Sequence, residues 1–162
     1  MALSSDSDQP LEIEADAAEL DDIRGVIIYR GNVIVTQGSM RLYGDTMTIY
    51  YADDQKLKTI FMEGNPACFR QRPDNRDKDV EAEALRMEYH APQKLIVLIE
   101  EATVIQGRDR FSGNRIEYDT EGGVVRARKS ASGKERVKMV IQPKKGATIE
   151  AVPIIKSRCP GA

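Results

Sequence analysis

Past a Ser- and Asp-rich start, apolar and polar residues alternate: Leu11 and Ile13 with Glu12 and Glu14, then Met40 and Leu42 with Arg41 and Tyr43. A period of two places alternate side chains on one face of a pleated strand. The β-branched residues, with Gly or Asn breaks roughly every eight to twelve positions, predict many strands. Gly31-Asn32 lies between Val26 and Ile28 on one side and Val33 and Val35 on the other. That pair predicts a hairpin turn, because both residues tolerate positive φ. After Gly44 the parity changes, and Met47, Ile49 and Tyr51 continue the apolar face. Such a slip predicts a bulge or tight bend. Val137, Met139 and Ile141 form the last alternating strand, before Pro143. No segment keeps helical spacing, although residues 15–20 in isolation could make one helical turn.

The alternating units repeat. A phrase of small, polar, any, apolar, any, apolar begins at Ala15, Gly44, Ala82 and Gly113, at intervals of 29, 38 and 31 residues. A second phrase ending in Gln precedes three of these, ending at Gln37, Gln71 and Gln106. Gln37 to Gln106 and Gly44 to Gly113 are both separated by 69 residues, so two long segments align without a gap. The third copy is interrupted by the polar run at residues 72–79, which predicts an exposed loop. Units with one apolar face must be covered by neighbours or by a facing sheet. A β-helix, a curved sandwich and a half-open barrel all satisfy that requirement. The irregular intervals favour long antiparallel strands over a strict solenoid.

Length and charge narrow the classes. A chain of 162 residues suffices for one domain with a core. The expected organisation is a disordered start (1–9), one β domain (10–143) and a mobile tail (144–162). The net charge is −2, so no overall field favours nucleic acid or an anionic membrane. Residues 1–22 carry eight acids and no Lys or Arg, whereas residues 126–145 carry eight bases against Glu135. Opposite ends of this kind either steer head-to-tail contact or are merely solvated, and charge alone leaves both open. No apolar run is long enough to cross a bilayer. Met1 before Ala2-Leu3-Ser4-Ser5 suits a processed start with an added initiator, hence export with the signal peptide removed. Cys68 lies in a strand-like run and Cys159 in a Pro- and Gly-flanked tail. The expectation is a buried thiol and a tail thiol rather than a structural disulfide.

Candidate chemistry is sparse. His90 is the one histidine, which rules out His-based metal clusters and triads; it is expected in an exposed loop at a strand end. Gly38-Ser39-Met40-Arg41-Leu42-Tyr43-Gly44 lacks the glycine spacing of a phosphate cradle. The acid pairs Glu100-Glu101 and Asp53-Asp54 are adjacent, and neighbouring strand residues point to opposite faces, so neither pair converges as in a glycosidase. The basic segment after Arg126 has no interleaved aromatics, which argues against nucleic acid. No catalytic residue, cofactor or metal is expected. What remains is a Met- and aliphatic-rich stripe that includes Ile60 and Met62, read either as a sealed core or as an apolar ligand groove.

The motifs Gly31-Asn32-Val33-Ile34-Val35-Thr36-Gln37-Gly38, Gly64-Asn65-Pro66-Ala67-Cys68-Phe69 and Val80-Glu81-Ala82-Glu83-Ala84 follow the opening Asp8-Gln9-Pro10-Leu11-Glu12-Ile13-Glu14-Ala15-Asp16. In this order they resemble the OstA-like family, over residues 9 to 143, and most closely its periplasmic lipopolysaccharide-transport bridge branch. That resemblance implies a long twisted antiparallel β-jellyroll, half-open, repeat-built and open at both ends. It implies a non-enzymatic carrier that holds lipid A acyl chains inside. The family's tethered C component is expected to start with a membrane helix, and its D component to continue into a barrel, so both fit less well. Leu11, Phe69 and Tyr89 match interior positions of the family. Alternation alone adds Ile13, Val35, Met40, Leu42, Met47, Ile49, Met87, Ile116 and Tyr118. The implied partners are lipopolysaccharide, the inner-membrane C and outer-membrane D components of the Lpt system, and further copies of the chain. Head-to-tail contact through end strands points to Leu11, Glu12, Ile13 and Glu14 at one edge and Val137, Met139 and Ile141 at the other. The rival from another class is a structural β-repeat module with a closed core and no lipid.

Overall fold

A computed structural model describes residues 9–54, 56–72, 80–119, 122, 124–129, 136–141 and 159. Most of the expected disordered start, of the 72–79 loop and of the mobile tail lies outside the described residues. Among the described residues all regular structure is strand, in a single antiparallel sheet. The strands are β1 (Glu12–Glu14), β2 (Ala17–Asp21), β3 (Val26–Gln37), β4 (Met40–Tyr51), β5 (Leu57–Gln71), β6 (Val80–His90), β7 (Leu95–Gln106), β8 (Asp109–Asp119), β9 (Val125–Arg128) and β10 (Lys138–Val140). The six long strands β3 to β8 pair in sequence order. Each flank ends in a broken strand: β1 and β2 share the edge of β3, while β9 and β10 share the edge of β8. This long antiparallel sheet with open flanks is the β-jellyroll architecture expected from the sequence.

Gly31-Asn32 is not a hairpin. It lies inside β3, where the pairing with β4 shifts between Arg30 and Val33, and both residues have positive φ (84° and 48°). Two left-handed residues can either reverse a chain or bulge a strand, and here strands on both sides hold β3 straight through. Asp16, at the break between β1 and β2, fastens this bulge: its backbone N–H donates to the Gly31 carbonyl at 2.9 Å, and Asn32 Nδ2 donates to its carboxylate at 3.0 Å. The corresponding bulge of β7 is Glu100-Glu101, also at positive φ (66° and 52°), 69 residues further on. In β5 the shift spans residues 64–66 and includes the cis Asn65-Pro66 bond. The second phrase of the sequence therefore begins each time at a strand bulge.

The first phrase marks the opposite strands, with one correction. The parity slips at Gly44 and Gly113 are present as register shifts in β4 and β8. In β6, however, the residue in that row is Ala84 rather than Ala82: Ala84 pairs with Ala67, and Gly113 with Ala102. The interval is thus 29 residues from 15 to 44, 40 from 44 to 84, and 29 again from 84 to 113. The extra length falls in the middle, next to the polar run at 72–79.

The two cysteines are bonded to each other, contrary to the expectation of separate thiols: Cys68 and Cys159 form a disulfide with Cα atoms 5.6 Å apart. Cys68 sits between inward-facing Ala67 and Phe69 in β5, so its side chain is on the outer face, yet it is only 2% exposed. Spacing along a chain cannot reveal that Cys159 lies against the middle of the sheet. His90 also differs from expectation. It ends β6, half-buried on the outer face, 3.1 Å from Glu88 and edge-on to Phe61.

Candidate functional site

The inner face of the sheet is built strand by strand from the alternation. Across its middle, Met47, Met62, Met87, Leu98 and Ile116 are successive cross-strand partners from β4 to β8. Toward one end the next register row contains Ile49, Ile60, Tyr89, Ile96 and Tyr118. Beyond the bulges the interior continues through Val35, Leu42, Phe69, Ala82, Val104 and Phe111. Every residue assigned to the stripe within these strands lies on this one face, because the bulges correct the parity that would otherwise turn half of it outward.

The predicted positions differ in access. Val35, Met47, Ile49, Met87 and Ile116 are buried in the core, and Ile13, Met40, Leu42 and Phe69 pack against it half-buried. Tyr89 and Tyr118 share that face and are also half-buried. Leu11 is 50% exposed, just before β1. Sequence reasoning missed Val33, Ala67, Ala84, Leu98, Ala102 and Val104, all buried. Ala67, Ala84 and Ala102, with Gly44 and Gly113, make a belt of small residues at the level of the bulges. Leu98 and Val104 were hidden because β7, LIVLIEEATVIQ, is almost continuously apolar and its inner face cannot be read from alternation.

The interior is therefore closely packed across its middle, and its half-buried apolar side chains lie toward the two ends. Among the described residues no carboxylate or amine lies in the core cluster, and no group of three or more His, Cys, Asp or Glu could hold a metal. Tyr29 carries the inner polar atom whose ionisation is perturbed. Burial, and then the neighbouring Tyr51, push its phenol above the usual range. The outer face is charged instead. Arg86 pairs with Glu88 at 3.1 Å and lies over the Phe61 ring, and Arg70 pairs with Glu81 at 2.6 Å. These contacts solubilise the outside and leave the inside to apolar packing.

The two flanks are open. β1 pairs only with β3 and β10 only with β8, so among the described residues each keeps one unpaired backbone edge. The first flank carries Glu12, Glu14, Glu19 and Asp21; the second carries Arg126, Arg128, Arg136 and Lys138. Val137, Met139 and Ile141 are exposed there, and Met139 pairs with Phe111 of β8. An unpaired strand edge is a place where a further strand can add.

Residues 12–124 match the family described as LptA/(LptD N-terminal domain) LPS transport protein. The chain belongs to that family. Among its relatives is the lipopolysaccharide export system protein LptH of Pseudomonas aeruginosa, 43% identical over 153 residues, covering 91% of this chain and 87% of that protein. The lipopolysaccharide export system protein LptA of Escherichia coli is 36% identical over 118 residues, covering 72% of this chain and 63% of that protein. The crystal structure of LptH, described as the LptA-homologous periplasmic component of the conserved lipopolysaccharide transport device, superposes with a TM-score of 0.78 at 39% identity. That match covers 86% of this chain and 99% of the LptH chain. The family profile spans β1 to β8, so the strands that build the interior are those that define the family.

Proposed function

We propose that this chain is a periplasmic carrier that holds the acyl chains of lipopolysaccharide inside its sheet and forms one segment of a bridge between the two membranes. The observation that carries the reading is one unbroken apolar inner face, running from β3 to β8, in a member of a lipopolysaccharide-transport family. Apolar transfer is non-directional, so a lipid can slide along such a face without breaking specific bonds. No bond-making step is required, and directional energy comes from a partner. The disulfide supports an oxidising compartment. Head-to-tail growth would place the acidic β1 edge of one copy against the basic β10 edge of the next. The same edges would join it to the C component at the inner membrane and the D component at the outer membrane.

The closed middle of the interior favours a second reading, a structural repeat module without lipid. Photo-crosslinking separates the two. A photoreactive residue at Phe69 or Tyr89 should capture lipopolysaccharide, while one at exposed Tyr50 should not. Silence at every inner position would establish the structural module. For assembly, sedimentation should show concentration-dependent growth that is lost on truncation from Glu135. Truncation also removes Cys159, so Cys159→Ser in the full chain is the control. A truncated chain that still lengthens would refute the edge-strand contact.

A further inference from the structure

At the middle of the interior one cross-strand row, Met47, Met62, Met87, Leu98 and Ile116, is buried throughout, and three of its five members are methionines. Met47, Met62 and Met87 are direct cross-strand neighbours on β4, β5 and β6, exposed by 1%, 1% and 4%. Leu42 and Phe69 on one side, and Ile60 and Ile96 on the other, pack against the core only half-buried. The belt of small residues beside the methionines lets backbone and side chains approach closely. A Cβ on Gly44 would collide with Met62 Sδ and come within 2.9 Å of the Glu63 carbonyl oxygen. The Met62 thioether thus occupies space that any other residue at 44 would claim.

We propose that Met47, Met62 and Met87 form a gate across the interior, closed at rest and displaced by the acyl chain of a passing lipid. The proposal rests on the carrier reading above. An unbranched thioether side chain has three rotatable bonds and repacks within apolar surroundings. A β-branched side chain of similar size is stiff at χ1 and cannot. Opening breaks no ion pair, because the charges lie on the outer face. The gate would divide the interior into two compartments, each reached from one end, so that a sliding lipid meets one step at that level.

The test uses the full, oxidised chain labelled with carbon-13 at the methionine methyl groups. It is titrated with purified rough-type lipopolysaccharide, and separately with the same core oligosaccharide stripped of acyl chains. The methyl signals of Met47, Met62 and Met87 should shift with the acylated ligand alone. Replacing the three methionines by isoleucine should slow loading by at least about fivefold. If that variant does not fold, Met62→Ile and the wild-type titration still decide. Lipid captured at Phe69 with the three methyl signals unmoved would overturn the gate and leave the carrier reading standing. No capture by the wild-type chain would overturn the carrier reading itself.

Discussion

Removing the Cys68–Cys159 bond is the most direct challenge to the way this chain closes. The bond joins residues 91 positions apart and encloses β6 to β10, so in the unfolded chain it restricts a very large loop. In the chain-entropy description a loop of that size is worth about 4.6 kcal/mol at 25 °C. For a domain of this length that is a fall in melting temperature of about 10–18 °C. Cys159→Ser is the cleaner perturbation, because Cys159 is half-exposed whereas a serine at Cys68 would bury a hydroxyl and add its own cost. Urea denaturation of the wild type and of Cys159→Ser should differ by several kcal/mol, and a reductant should bring the wild type down to the variant. Intact mass and alkylation would verify the bond before unfolding. A difference below about 1 kcal/mol, with the bond verified, would refute the loop-entropy argument. Two alkylated thiols in the unreduced protein would refute the pairing.

Three further outcomes test the bulges and the interior. Gly31→Ala should cost about 2 kcal/mol in urea denaturation: φ is +84°, and the new Cβ would sit 2.9 Å from Asp16 Cβ and strike its carboxylate. A loss within 0.5 kcal/mol, a roughly neutral surface value, would mean that Asp16 does not fasten the bulge. Glu100→Gly should stabilise the fold by about 0.5–1 kcal/mol, since a glutamate there holds a left-handed conformation that glycine adopts freely; unchanged or lower stability would contradict that geometry. The raised phenol of Tyr29 contributes stability in full below the unfolded value near pH 10 and loses it as pH rises through the folded value, because the unfolded chain then binds fewer protons. Tyr29→Phe should therefore flatten the alkaline fall in melting temperature, and an identical pH profile would place Tyr29 in solvent.

Much of the architecture was legible because strand side chains have a period of two, which ties each residue's face to its neighbours. Alternation around Met47, Ile49, Met87 and Ile116, with the slip at Gly44, identified an all-β chain and the inner face of β4, and the ordered motifs pointed to its family. Three things needed tertiary structure. Gly31-Asn32 suits a hairpin or a bulge equally well, and only the strands pairing on both sides of β3 decide between them. The inner face of β7 and the row containing Ala84 depend on cross-strand register, which uniform apolar runs and repeated alanines leave undetermined. Cys159 meets Cys68 on the outer face of β5, a long-range closure that no local pattern encodes. Whether the apolar stripe is open or closed depends on how near the walls come, and that distance is set by small residues meeting across strands rather than by the hydrophobicity of any one of them.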